Sequence, residues 1–132
     1  MNLYIIDDNP QKALKKAIDV AKKEALKNDK KITIAVEEDE DFDGIISKIL
    51  NENIIKNFKL RQKSILNENI NFYSISSKNF IEVNGIIVAS FITIQLLDKI
   101  LNKFPENKII YVPWLPKEIE YIKKLKDFKE IK

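Results

Sequence analysis

The sequence predicts a compact three-layer Rossmann-like α/β domain, with a mostly parallel sheet of four or five strands and helices on both faces. Short runs of β-branched residues alternate with helical patterns along the chain, and this alternation is typical of parallel sheets. Several of the runs lack polar alternation, which indicates strands buried on both faces. No internal repeat or flexible linker divides residues 1–132, so a single domain is expected.

The first strand and the first helix follow one another at the start of the chain. Residues 2–6 read as a short strand, and Asp7, Asp8 and Asn9 then offer caps before Pro10 at the first helical position. Apolar residues recur at three- and four-residue steps over about 17 residues, which predicts an amphipathic helix. They are Ala13, Leu14, Ala17, Ile18, Ala21 and Ala25.

The second unit joins a buried strand to a second helix through an acidic loop. The run ITIAV at 32–36 predicts the strand, and a helix that begins near Ile45, capped by Asp41 or Asp43, follows. The stretch 51–69 is the least regular, and it predicts one or two short helices that cross the sheet.

The remaining elements are predicted with one alternative left open. Residues 70–76 alternate as a strand does, and Asn84–Gly85 favours a short hairpin at 80–91 that feeds a central strand; the alternative is a loop before a single buried strand. Thr93 is expected to cap a helix, 108–112 to form a strand, and Pro116 to begin the last helix.

Composition excludes several chemistries. The chain has no cysteine and no histidine, which removes thiolate sites, the commonest general base and the commonest transition-metal ligand. The net charge of +3 comes almost entirely from lysine, with Arg61 the single arginine, so nucleic-acid recognition is disfavoured. No signal peptide and no apolar run of roughly 18 residues occurs. We therefore expect a cytoplasmic protein without a membrane partner.

Polar residues follow several predicted strands, and ligands bind at the carboxyl ends of strands in open parallel sheets. The candidate ligand-binding residues are Asp8, Glu37, Ser90, Thr93 and Trp114. A phosphate on Ser90 and Thr93 is one hypothesis, and Thr93 as an ordinary helix cap is the other. Trp114, the single tryptophan, stands between two prolines and predicts either a binding residue or a lid on the core.

Six acids occupy seven positions at 37–43. Carboxylates that converge from different strands can hold Mg²⁺ or Mn²⁺, so a metal site is one interpretation. Helix capping and solvated charge are the other interpretation, and we favour it because acids stabilise helix N-termini. The candidate metal ligands are Glu37, Glu38, Asp39 and Asp41.

These observations favour a binding or regulatory module over an enzyme. Its partner would be a small polar ligand or another protein, with self-association as a further alternative. The enzymatic alternative is a phosphoryl or phosphodiester hydrolase that uses the acids at 37–43 with Mg²⁺ as cofactor. A weaker alternative is a nucleic-acid accessory protein that uses its lysines.

Overall fold

A computed structural model describes residues 2–38, 40–41, 44–60, 64–80, 83–125 and 127–131. Within these ranges the chain is an α/β protein with a seven-stranded sheet. The strands are β1 (Leu3–Ile5), β2 (Lys31–Ala35), β3 (Ile65–Asn67), β4 (Ile70–Ile75), β5 (Ile86–Ser90), β6 (Ile109–Val112) and β7 (Lys129–Glu130). The helices are α1 (Pro10–Lys27), α2 (Ile45–Ile49), α3 (Glu52–Lys59), α4 (Ile94–Lys103) and α5 (Pro116–Leu125).

The sheet is mostly parallel, as predicted. Its strand order is β3-β4-β2-β5-β6-β1-β7, and only the β3–β4 pair is antiparallel among the described strands. The predicted number of four or five strands is too low, because β3 and β7 add short strands at the two margins. These have three and two residues, too few for a periodic signal in the sequence.

The strand order places a switch point between β2 and β5. The chain leaves β2 towards β4 on one side, whereas it leaves β5 through α4 towards β6 on the other side. The two connections diverge from neighbouring parallel strands, so a crevice is expected outside the carboxyl ends of β2 and β5. The site described below lies beside these ends.

The structure confirms the helix predicted after the first strand, α1. The Asn9 side chain accepts hydrogen bonds from the backbone N–H of Gln11 (3.1 Å) and Lys12 (3.4 Å), and Pro10 occupies the first turn. These bonds satisfy donors that have no partner inside the helix. The six apolar residues that predicted the helix are its buried residues.

Two clusters of buried side chains pack against the sheet. Successive residues of the central strands belong alternately to one cluster and to the other. Ile34 and Val88 join the residues of α1, α2 and α3, whereas Ala35 and Ala89 join those of α4 and α5. Strand β2 is buried from Ile32 onward, which confirms the absence of polar alternation as a sign of burial on both faces. Among the described helices, none combines the length and apolar character of a membrane span.

The stretch 51–69 was predicted only as short helices, and this is wrong for its second half. Residues 65–67 form β3, and the tight connection to β4 uses Glu68 (φ 50°) and Asn69 (φ 68°). Two positive φ values suit the twist of a two-residue hairpin. Asparagine is a common residue there, but glutamate is not, so the sequence gives a weak turn signal.

The predicted hairpin at 80–91 does not form within the described residues, because β5 pairs only with β2 and β6, both in parallel. Residues 81 and 82 lie outside the described ranges. Gly85 (φ 70°) instead lets the backbone pass Lys31 at the start of β2, where an added Cβ would lie 2.1 Å from the Lys31 carbonyl oxygen. The alternative of a loop before one buried strand is therefore correct for the described part.

Candidate functional site

A cleft of about 380 Å³ opens at the carboxyl edge of the sheet. Three connections form it: the loop after β2 with the start of α2, the turn after β5, and the turn after β6. Its volume lies in the range of roughly 300–1,000 Å³ that is usual for small-molecule sites. The lining residues are Glu40, Asp41, Gly44, Ile45, Ile46, Phe91 and Trp114.

Trp114 is half exposed and packs against Phe91 at the wall of this cleft. Its exposed fraction is 50%, so it is not a buried lid on the core. The ring centroids of Trp114 and Phe91 are 5.1 Å apart, with an angle of 76° between the ring planes. This edge-to-face contact is a favourable aromatic arrangement, and it leaves Trp114 partly open to solvent.

Phe91 adopts a backbone conformation that bulky residues rarely adopt. Its φ is 59°, in the left-handed region, and its N–H donates to the Val112 carbonyl at 2.9 Å. Such conformations persist only where the surrounding structure enforces them, and they concentrate at functional sites. Phe91 is not among the predicted site residues, because no glycine or asparagine marks the turn between Ser90 and Ile92.

The Glu118 carboxylate fixes the backbone at Trp114. Its Oε1 accepts the N–H of Trp114 at 3.0 Å and that of Leu115 at 2.8 Å. Glu118 is the third residue of α5, and a glutamate there commonly reaches back to the residue before the helix. Since Pro113 and Pro116 also restrict φ on both sides of this turn, the main chain that carries the tryptophan is held firmly.

A buried tyrosine hydroxyl links the two turns that carry the aromatic residues. Tyr111 has no exposed surface, and its hydroxyl lies 3.1 Å from the Ile92 carbonyl and 3.3 Å from Glu118 Oε2. Burial, and secondly the Glu118 charge, raises the pKa of Tyr111 well above its ordinary value. The hydroxyl therefore stays protonated, and it shares its single hydrogen between two acceptors, the Ile92 carbonyl and the Glu118 carboxylate.

Glu37 and Thr93, two of the predicted ligand-binding residues, bind each other. Glu37 Oε1 accepts the Thr93 N–H at 2.7 Å, and Thr93 Oγ1 accepts the Leu96 N–H at 3.2 Å. A carboxylate thus occupies the N-terminus of α4, where the helix dipole favours negative charge. This is the place where the sequence suggested a phosphate, and the Thr93 cap is confirmed.

Asp8 and Ser90, two further candidate ligand-binding residues, do not line the cleft. Asp8 is exposed and accepts the Asn9 N–H at 2.7 Å beside the start of α1. Ser90 ends β5 with 1% of its surface exposed, and its Oγ has no hydrogen-bond partner among the described residues. Of the five predicted residues, Trp114 is the one found among the described residues that line the cleft.

The three candidate metal ligands that the structure describes, Glu37, Glu38 and Asp41, have protein partners. Asp41 Oδ2 accepts the Glu38 N–H at 2.9 Å, and the Glu38 carboxylate lies 3.8 Å from Lys78 Nζ. Asp39 lies outside the described residues. In the part of the chain that the structure describes, no three acidic side chains are grouped closely enough to hold a metal ion.

The prediction that an acid caps α2 is wrong for Asp41. Gly44 is the residue before that helix, and no side chain among the described residues caps it. Asp41 instead turns back to the Glu38 N–H, and its own N–H donates to the Glu38 carbonyl at 3.0 Å. The other predicted cap, Asp43, lies outside the described residues.

The chain matches no known family model, and comparisons with curated proteins and with solved structures gave no match.

Proposed function

We propose that this protein is a Rossmann-like three-layer α/β binding module, and that its binding site is the cleft between Trp114 and the start of α2. The observation that carries this proposal is a half-exposed tryptophan that packs on Phe91 at the wall of a cleft of about 380 Å³. Large amphipathic rings contribute much of the contact energy of binding sites when they are held in place.

The position of the cleft supports this role. Its walls come from the connections that follow β2, β5 and β6, and β2 and β5 are the two strands at the switch point. Ligands of open α/β sheets collect at such points because the diverging connections leave a crevice there.

The rigidity of the aromatic wall supports it further. The N–H of Trp114 is bound by Glu118, and the turn of Phe91 is tied to the same glutamate through Tyr111 and the Ile92 carbonyl. A wall that is already ordered loses little conformational entropy when a ligand binds. The left-handed backbone of Phe91 costs roughly 1–2 kcal/mol, and function is one reason for such strain to persist.

The described residues favour this role over the alternatives. The hydrolase alternative requires converging carboxylates, whereas Glu37, Glu38 and Asp41 each interact with another protein group. A partner protein and self-association remain proposals without a specific surface. The cytoplasmic location and the single-domain organisation also stay predictions.

Protein-observed NMR with a fragment library tests the proposal. We expect the largest amide shift changes at Glu40, Asp41, Gly44–Ile46, Phe91 and Trp114, the residues that line the cleft. Trp114→Ala should abolish these changes, and Tyr121→Ala, which removes another exposed aromatic side chain (43%), should not. The proposal fails if no fragment perturbs the cleft amides, or if the bound fragments cluster elsewhere.

A further inference from the structure

We propose that the ligand of the cleft is a small organic cation of the alkylammonium type, held by the Phe91–Trp114 corner and the acids at its rim. This inference rests on the proposed function, since it assigns a ligand class to the same site. Three features carry it: the shape of the aromatic wall, the sign of the charge that lines the cleft, and the occupation of two nearby anion-binding positions.

The aromatic wall forms a corner. The Phe91 and Trp114 ring planes meet at 76° with centroids 5.1 Å apart. The negative face of an aromatic ring attracts a cation within about 6 Å, and tryptophan is the strongest of the rings in this respect. A compact, nearly spherical ammonium group can contact two surfaces of a corner at once, whereas a planar guanidinium stacks best on one face.

The charge of the cleft is opposite to that of the protein. Of the described lining residues, the charged ones are Glu40 and Asp41, both acids. The whole chain, by contrast, has 23 basic residues and a net charge of +3. This local excess of negative charge attracts cations and repels anions.

Carboxylates of the protein already occupy two sets of backbone donors at this edge of the sheet. Glu37 occupies the Thr93 N–H at the start of α4, and Glu118 occupies the Trp114 and Leu115 N–H groups before α5. Each of these carboxylates stands where a phosphate or carboxylate ligand would bind in other α/β proteins. An anionic ligand would have to displace one of these carboxylates to bind at the start of α4 or α5.

The cleft also offers an apolar surface to the alkyl groups of the ligand. Ile45 and Ile46 line the cleft; Ile46 belongs to a buried cluster, and Ile45 and Phe91 pack against the same cluster. The methyl groups of a quaternary ammonium carry its spread charge and prefer such a surface to water. The cleft thus combines an apolar floor, an aromatic corner and an acidic rim.

Three probes of nearly equal shape test the charge requirement by NMR titration of the intact protein. They are choline, its neutral carbon isostere 3,3-dimethyl-1-butanol, and the anion 3,3-dimethylbutanoate. We expect choline to bind at the cleft amides roughly tenfold more tightly than the neutral probe. The anion should not bind, and raised salt should weaken only the choline complex.

Two variants assign the effect to the named groups. Glu40→Gln should weaken choline binding roughly two- to fivefold without changing binding of the neutral probe. Glu120→Gln removes the same charge from an exposed position on α5 outside the lining and is the matched control. Trp114→Leu should remove most of the preference for choline over the neutral probe while the neutral probe still binds.

The possible results separate this inference from the proposed function. Equal affinity for choline and 3,3-dimethyl-1-butanol, stronger binding of the anion, or a Glu40→Gln variant that behaves as Glu120→Gln would overturn the cation assignment. If library fragments perturb the cleft amides but choline does not, the assignment fails and the binding module stands. If no fragment perturbs these amides, the binding module itself is lost.

Discussion

Glu118 holds Trp114 through the main chain, with its Oε1 3.0 Å from the Trp114 nitrogen. The same oxygen accepts the Leu115 N–H, and the other carboxylate oxygen meets the Tyr111 hydroxyl. One partly buried carboxylate therefore joins a core tyrosine to the exposed ring of the cleft. The stability of this turn and the environment of Trp114 should depend on it.

Replacement of Glu118 by alanine should lower the free energy of unfolding by roughly 1–3 kcal/mol, since charge-assisted bonds at a helix start are lost. It should also change the Trp114 emission maximum at low denaturant. Glu118→Gln keeps an oxygen acceptor, so its free energy of unfolding should fall by less than that of Glu118→Ala. Urea unfolding measures the stability, and Glu120→Ala, an exposed change on the same helix, is expected within about 0.5 kcal/mol of the wild type. Equal losses for Glu118→Ala and Glu120→Ala would contradict the role of Glu118.

Tyr111 should make the protein sensitive to alkaline pH. Its pKa is raised in the folded state above the ordinary value of 10.0, chiefly by burial. Above that ordinary value the unfolded state releases the proton and the folded state retains it, so stability is full below about pH 10 and falls as the pH rises further. Tyr111→Phe should show a smaller loss of stability from pH 9 to pH 11.5.

The test for Tyr111 is a series of urea midpoints against pH. At pH 7 the variant should be less stable by about 1 kcal/mol, because the bond to the Ile92 carbonyl is gone. Tyr121→Phe, at an exposed position, is the control and should follow the wild type throughout. Parallel curves for wild type and Tyr111→Phe above pH 10 would show that Tyr111 does not carry the effect.

Gly85→Ala should lower the free energy of unfolding by roughly 2–4 kcal/mol, because both strain and overlap result. The φ of Gly85 is 70°, and the new Cβ would meet the Lys31 carbonyl oxygen at 2.1 Å. Gly44→Ala should lower the free energy of unfolding by less. The φ of Gly44 is −88°, and a Cβ added there would lie 3.7 Å from the Asp41 carbonyl oxygen. Thermal unfolding of both variants decides this, and similar losses would refute the close approach at Gly85.

Thr33→Val should destabilise the protein by roughly 1–3 kcal/mol although it keeps the side-chain shape. Thr33 is fully buried in β2, and its hydroxyl donates to the Asn84 carbonyl at 2.8 Å and accepts the Asn84 N–H at 3.0 Å. Thr33→Ser retains both bonds and loses only a methyl group, about 1 kcal/mol. A valine variant that is more stable than the serine variant would show that packing, and not these bonds, fixes the loop.

Local sequence patterns predicted the helices and strands that are specified by residues close together in the chain. The Asn9 cap, Pro10 and the apolar stripe of α1 specify that helix, and the Thr93 hydroxyl specifies the start of α4. The β-branched run at β2 indicated a strand buried on both faces, and this is confirmed. Strands β3 and β7 were missed because they are too short to show a period.

The sequence predicted the edge of the sheet at which the candidate site lies, but not most of the residues that line it. Trp114 could be selected because it is the single tryptophan, set between prolines after a strand. Phe91 could not, since its left-handed backbone carries no local sign such as a glycine. The Asn84–Gly85 pair gave a turn signal, but its glycine serves a close approach to Lys31 and not a hairpin.

By itself the sequence determined the α/β alternation, the caps of α1 and α4, the absence of histidine and cysteine, and the acidic character of 37–43, because these depend on neighbouring residues or on composition. The tertiary structure alone decided how the acids are used. Glu37 binds the N–H of Thr93, 56 residues away, because the switch between β2 and β5 brings the two strand ends together. The same topology places Phe91 against Trp114, and no local pattern encodes a contact between separate strand ends.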